Sequence, residues 1–322
     1  MKKLLVLAAL VVIAVATAAG ALFVQVGGDL SGARTDMPTR ALDLSNYAAS
    51  PPPEPINLVF LHHSVGTQML ASPGPEGGAL NGYPTHPNGG GLAALLAASN
   101  YRLHEATYGS RLGERTDLFD WLPKFRGDMD AILAIRRQDE RLPDGERNRV
   151  VLFKSCFPNN DFVGEGTGDG SPQGPELTEA NARATLRAVR DELARHPDVL
   201  FVYMTAPPVA PRTWTEPAWK WLVKKALGRP THDEEVARAG AIARRFNHWV
   251  VDPDGWLKGY PLKNVVVFDL YGQLTDGGAS DFSRYATGDG ADSHPSTEGN
   301  TRAAAALVPF LNRAARFAGL LP

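Results

Sequence analysis

Ile56-Asn57-Leu58-Val59-Phe60-Leu61-His62-His63-Ser64-Val65-Gly66 is the stretch on which the reading of this chain turns. Its first six residues are apolar and rich in β-branched and aromatic side chains, the pattern of a strand buried on both faces. Pro51-Pro52-Pro53-Glu54-Pro55 stands just before it and cannot belong to a central strand. At its end the chemistry changes to two histidines, a serine and a glycine. A hydroxyl at the C-terminal edge of a first parallel strand lies where open α/β sheets hold their ligands. Ser64 is therefore the candidate nucleophile, provided the chain brings it a base.

Downstream of this stretch, strand-like and helix-like segments alternate. Strands are expected at Tyr101–Thr107, Arg149–Lys154, Val199–Thr205 and Asn264–Leu270. Helices are expected at Leu92–Ser99, Leu118–Arg137, Leu177–His196 and Asp233–Val250. A shorter helix is expected within Thr213–Arg229, and a last one over Thr297–Ala318 that Pro309 should kink or break. This rhythm implies an α/β domain: a three-layer α/β/α sandwich around a five-stranded parallel sheet, spanning residues 56–322.

Upstream, Lys2 and Lys3 precede an apolar run from Leu4 to Val26, with Ala16-Thr17-Ala18 as a usable cleavage site. Residues 1–26 read as a signal peptide or a signal anchor, since the run is also long enough to cross a bilayer. Either places the bulk of the chain outside the cytoplasm, secreted, periplasmic or held at the membrane. Residues 27–55, rich in Gly, Ser, Ala and Pro, read as a flexible spacer. The formal net charge of −2 argues against a general nucleic-acid binder. A single cysteine, Cys156, excludes an intrachain disulfide and a cysteine metal cage.

The loops after the strands share one rim of such a sheet. They carry Ser64, Gly109 and Gly113, Asn159 and Asn160, and Asp289-Gly-Ala-Asp292-Ser-His294-Pro295. A serine needs a base, and the base an orienting acid; His294 and Asp292 supply both. A glycine N–H and an asparagine amide suit a developing oxyanion. His62 and His63 are adjacent, so in a strand they point to opposite faces and no metal is assigned. No organic cofactor is implied, because no phosphate-cradling glycine loop follows the first strand. Each motif also has a plainer reading. Ser64 could be a helix cap, Asp292-Ser-His-Pro the turn before the last helix with Ser296 as cap, and Asn160-Asp161 an Asx-turn.

In block order, this chain resembles the SGNH (GDSL-like) hydrolase superfamily. Phe60-Leu-His-His-Ser64 is similar to its nucleophile block, and Leu112-Gly113-Glu-Arg-Thr116 to its glycine block. Pro158-Asn159-Asn160-Asp161 is similar to its asparagine block, and Ala-Asp-Ser-His294-Pro295 to its Asp-x-x-His block. The His-His-Ser-Val-Gly string resembles an exported bacterial branch of that superfamily. Three positions depart from the pattern: His62-His63 replace Gly-Asp, Phe-Pro-Asn-Asn-Asp replaces Gly-x-Asn-Asp, and Ala291 replaces the usual aspartate. Asp292, two before His294, must then serve, with Asp289 as the fallback.

The resemblance implies an esterase in which Ser64 attacks, His294 carries the proton and Asp292 orients it. Gly113 and Asn160 would hold the oxyanion. The expected substrate is an acyl ester, acetyl first, on a carbohydrate. The alternatives are an acyltransferase to a glycan acceptor using the same residues, and a non-catalytic glycan-binding or envelope protein on a degenerate site. Trp214, Trp219 and Trp221 beside Lys220, Lys224 and Lys225 suggest either a lid over the rim, a sugar-stacking platform or a segment lying on a membrane.

Overall fold

The computed structural model describes residues 25–32, 40–77 and 85–322. The expected signal or anchor segment falls, but for Gln25 and Val26, outside the described residues. In chain order the main elements are β1 (Ile56–Leu61), α1 (Ser64–Leu70), α2 (Leu92–Ala98), β2 (Tyr101–Ala106) and α3 (Trp121–Leu133). The chain continues through β3 (Ile135–Arg137), β4 (Glu140–Arg141), β5 (Val150–Lys154), α4 (Glu179–Leu193), β6 (Leu200–Met204) and α5 (Ala218–Ala226). It ends with α6 (His232–Val251), β7 (Val265–Phe268), α7 (Leu270–Leu274), β8 (Asp292–Pro295) and α8 (Thr297–Phe317).

The chain is mixed α/β, built on a seven-stranded, mainly parallel sheet in the order β7-β6-β5-β1-β2-β3-β4. β1 lies at its centre, parallel to β2 on one side and β5 on the other. Side chains alternate across β1 as a strand requires. Val59 and Leu61 join α3, α4 and α6 in one apolar cluster, while Leu58 and Phe60 join α1, α2 and α8 in the other. All four are 0% exposed. Each such burial contributes on the order of 1.5–3 kcal/mol, which is why this stretch dominates the sequence pattern.

Two strands beyond the expected five lie at one edge. The helix expected to run to Arg137 stops at Leu133, and β3 and β4 form an antiparallel hairpin outside β2. Only Ile135 of β3 is buried; Arg136, Arg137, Glu140 and Arg141 face water. Charged edge residues of this kind discourage further strand pairing, and they conceal the strand from a hydrophobic pattern. Pro309 does not end α8; the helix continues through it. Ala305, whose carbonyl loses its partner there, and Pro309 are both exposed, so the orphan group meets solvent.

The described parts of residues 27–55, expected to be flexible, are held down. Asn312 donates to the Ala49 carbonyl at 2.8 Å and Arg316 to that of Ser50 at 2.8 Å, while Leu44 is buried. The extended chain offers carbonyls that α8 side chains can reach. Further upstream, Gln25 and Val26 pair antiparallel with Pro217 and Glu216. Among the described residues no helix is long and apolar enough to cross a membrane.

Asp269, which follows β7, caps α7 by accepting from the Gly272 N–H at 2.8 Å. Burial pushes its carboxyl up to about 6, against the hydrogen bonds from Gly272 and Thr205. A carboxyl raised on folding binds its proton more tightly in the native state, so its contribution is fullest below the unfolded value and is lost as pH rises through about 6. Asp269→Asn should therefore lose less stability than wild type between about pH 4 and 6, as thermal melts across that window would read.

Candidate active site

The sheet order reverses beside β1, so the loops after β1 and β5 flank a crevice at the strands' C-terminal ends. β1 delivers His62 to the interior, 0% exposed, and His63 to the partly exposed rim, and Ser64 opens α1. The turn is tight. A Cβ on Gly66 would lie 2.4 Å from the Cβ of His62, so a side chain there would not fit. His62 contacts Glu105 through Nε2 at 3.2 Å and the His63 carbonyl through Nδ1 at 3.0 Å.

His294 arrives from the other end of the chain. β8 is extended, so Asp292 and His294, two apart, present their side chains to one face, while Ser293 points away and accepts from the Ala210 N–H at 2.9 Å. This geometry removes the difficulty posed by the two-residue spacing. His294 Nε2 lies 3.0 Å from Ser64 Oγ, and His294 Nδ1 lies 2.7 Å from Asp292 Oδ1. The same carboxylate oxygen accepts from the His294 backbone N–H at 3.0 Å. Burial alone would raise the Asp292 carboxyl, but the hydrogen bonds and charge of His294, with a contribution from Thr287, outweigh it and hold the group below its usual range. Asp289 sits in the preceding turn with φ 53°, and the carboxylate on the imidazole is that of Asp292. The Phe157 ring stands edge-on to His294 at 5.1 Å.

The expected oxyanion donors are engaged elsewhere. The Gly113 N–H donates to Ser110 Oγ at 2.7 Å, and its carbonyl accepts from His63 Nε2 at 2.9 Å. A Cβ at Gly113 would lie 2.1 Å from the Thr107 carbonyl, so this glycine serves a close backbone approach. The Asn160 amide donates to the carbonyls of Ala206 at 3.0 Å and Pro207 at 2.8 Å, and its oxygen accepts from Asn247 at 2.8 Å. Asn159 is likewise engaged, with Asp117 at 2.9 Å and the Leu118 N–H at 2.7 Å. Gly109, the weaker choice, donates to Glu114 at 2.7 Å.

Other side chains surround Ser64 instead. Tyr108 stacks on His63 with ring centroids 3.9 Å apart, and Ser64 lies near enough to its phenol to lower it through both its hydroxyl and its backbone N–H. Burial raises the phenol, so it stays protonated near neutral pH and able to donate. Beneath the serine, Cys156 Sγ lies 3.9 Å from Ser64 Oγ and 3.4 Å from the ammonium of Lys154. Burial would raise the thiol; the Lys154 charge and the hydrogen bonds from Val65, Ser64 and Lys154 more than offset it and bring it below its usual value. Lys154 is 0% exposed. Tyr108 immediately precedes Gly109 in the chain, but its contact with His63 depends on how that loop folds back.

Beside His294 an open groove of about 260 Å³ is lined by Phe157, Pro158, Val209, Ser293, Arg212 and Trp214, among others. Among the described residues, no group of three or more His, Cys, Asp or Glu is placed to hold a metal ion.

No family model matches this chain, and no curated protein does. One solved crystal structure aligns over 80% of this chain and 96% of its own, at 15% identity and a TM-score of 0.33. A likeness of that size carries no argument.

Proposed function

We propose that this chain is a serine hydrolase of SGNH type, a three-layer α/β/α domain that cleaves acyl esters, short acyl groups on a carbohydrate foremost. The observation that carries the reading is the continuous line from Ser64 Oγ to His294 Nε2, and from His294 Nδ1 to Asp292, across 230 residues of sequence. A helix-capping serine and a turn histidine have no reason to meet in this order.

In the proposed reaction Ser64 Oγ attacks the ester carbonyl while His294 takes its proton at Nε2. Asp292 keeps Nδ1 protonated and steadies the imidazolium. Collapse of the tetrahedral intermediate breaks the ester bond, and His294 returns the proton to the departing alcohol. Water then repeats the sequence on the acyl-serine and frees the acid. With Gly113 and Asn160 held by buried partners, the donors nearest to hand for the oxyanion are the Ser64 N–H and the Tyr108 hydroxyl, whose contact with each other a bound ester would replace. The carbonyl oxygen of a bound ester would enter between them.

The non-catalytic reading gains one specific observation, the engagement of both expected donors. Turnover of acetyl and longer aryl esters separates the two. Asp292→Asn should lower kcat by on the order of 10²–10⁴, since the neutral amide no longer enforces the productive tautomer. A folded wild type with no turnover of any ester would favour binding without chemistry.

A further inference from the structure

The helix α5 is turned the wrong way round for a helix that packs only on its own domain. None of its residues is buried. Trp219, Leu222 and Val223, with Leu227 just beyond its end, lie at helical spacing and are 44%, 49%, 49% and 64% exposed. Two of its lysines face the domain: Lys224 meets Glu216 at 3.1 Å and Glu235 at 3.6 Å, and Lys225 meets Glu234 at 2.6 Å. Trp214, in the strand-like lead-in, is 83% exposed. A contiguous apolar stripe of this kind marks a surface that something covers.

What lies next to it in the chain indicates the cover. The lead-in to α5 is tied to the start of the described chain. Val26 pairs with Glu216, Gln25 with Pro217 and Asp29 with Arg212, and the Leu30 N–H donates to the Pro211 carbonyl at 2.8 Å. Immediately before Gln25 come residues 4–24, interrupted only by Thr17 and Gly20. As a helix they would extend about 30 Å, the thickness of a bilayer's hydrocarbon core. That run is apolar on every side, so laying it on the α5 stripe would bury one side and leave the rest in water. Lipid removes both apolar surfaces from water together. Exposed tryptophans with lysines at their edges suit the interfacial layer, where an apolar ring and a polar neighbour are both satisfied.

We propose that Trp214 and the Trp219, Leu222, Val223 and Leu227 face of α5 rest in the interfacial layer of a lipid bilayer into which residues 4–24 insert. The docking does not depend on the chemistry assigned to Ser64. Where that reading also holds, Arg212 and Trp214 set the mouth of the groove beside Ser293 at the lipid surface, and esters carried on membrane components become the accessible substrates.

The test is tryptophan quenching in the full chain, reconstituted into phosphatidylcholine vesicles with a minority of phosphatidylglycerol and brominated acyl chains. Wild type should remain with the vesicles on flotation and its emission should be quenched. A Leu222→Glu/Val223→Glu/Leu227→Glu variant should still float and melt as wild type does, because the altered side chains are exposed, yet lose that quenching. Equal quenching in both chains, emission shifted to the blue but unquenched, or wild type that stays off the vesicles would each overturn the proposal. Ester turnover, assayed separately in detergent, reports on Ser64 whatever the vesicles show.

Discussion

Replacing Ser64 or His294 by alanine is expected to lower ester turnover by on the order of 10⁴-fold or more, with little change in melting temperature. The magnitude follows from the role of each atom. Without Oγ no acyl-enzyme forms, and without Nε2 the serine keeps its proton and the leaving alcohol receives none. The two substitutions act on one unit, so the double variant should be scarcely slower than either single one. Neither side chain supports the core. Ser64 and His294 are both partly exposed; the substitutions remove their mutual hydrogen bond at 3.0 Å and, for His294, also the 2.7 Å bond to the exposed Asp292 and the edge contact with Phe157. Kinetics on both single variants and the double variant, alongside thermal melts, would check this. A drop in activity that merely tracks unfolding, or additive effects, would argue against a shared mechanism.

Asn160→Ala is expected to act in the opposite manner, on stability more than on chemistry. Its amide ties the Ala206 and Pro207 carbonyls, in the segment after β6, to Asn247 on α6. Asn160 is 1% exposed and Asn247 likewise. Truncation leaves two buried carbonyls without a donor, at a cost of about 3 kcal/mol in total. For a domain of this size that lowers Tm by roughly 6–12 °C. If Asn160 were instead an oxyanion donor, kcat would fall by about 10²–10³ while the melt stayed close to wild type. Paired calorimetry and kinetics on this variant distinguish the two roles.

The parts of the fold legible in the sequence are those in which burial leaves a mark on composition. β1, β5 and β6 are apolar along most of their length because they are covered on both faces, and α4 shows its buried Leu186, Val189 and Leu193 at helical spacing. β3 and β4 leave no such mark, because an edge hairpin made largely of arginine and glutamate buries almost nothing. Pro309 misleads because the pattern does not say that its side of α8 faces water. Of the site, Ser64, Asp292 and His294 stand out as reactive residue types at places where strands end. The fate of Gly113 and Asn160 does not, since it rests on which partner each reaches: Ser110 for one, Ala206, Pro207 and Asn247 for the other. Lys154 ends an apolar strand with a charge that pattern alone would send to solvent, yet it is fully buried with Cys156 as its neighbour.

The most direct measurement is mass spectrometry of the intact and digested wild-type chain after reaction with a fluorophosphonate. One adduct is expected, stoichiometric and confined to the peptide carrying Ser64, and absent from His294→Ala under the same conditions. Folded protein that takes up no label, or label on another residue, would contradict the claim that His294 activates Ser64.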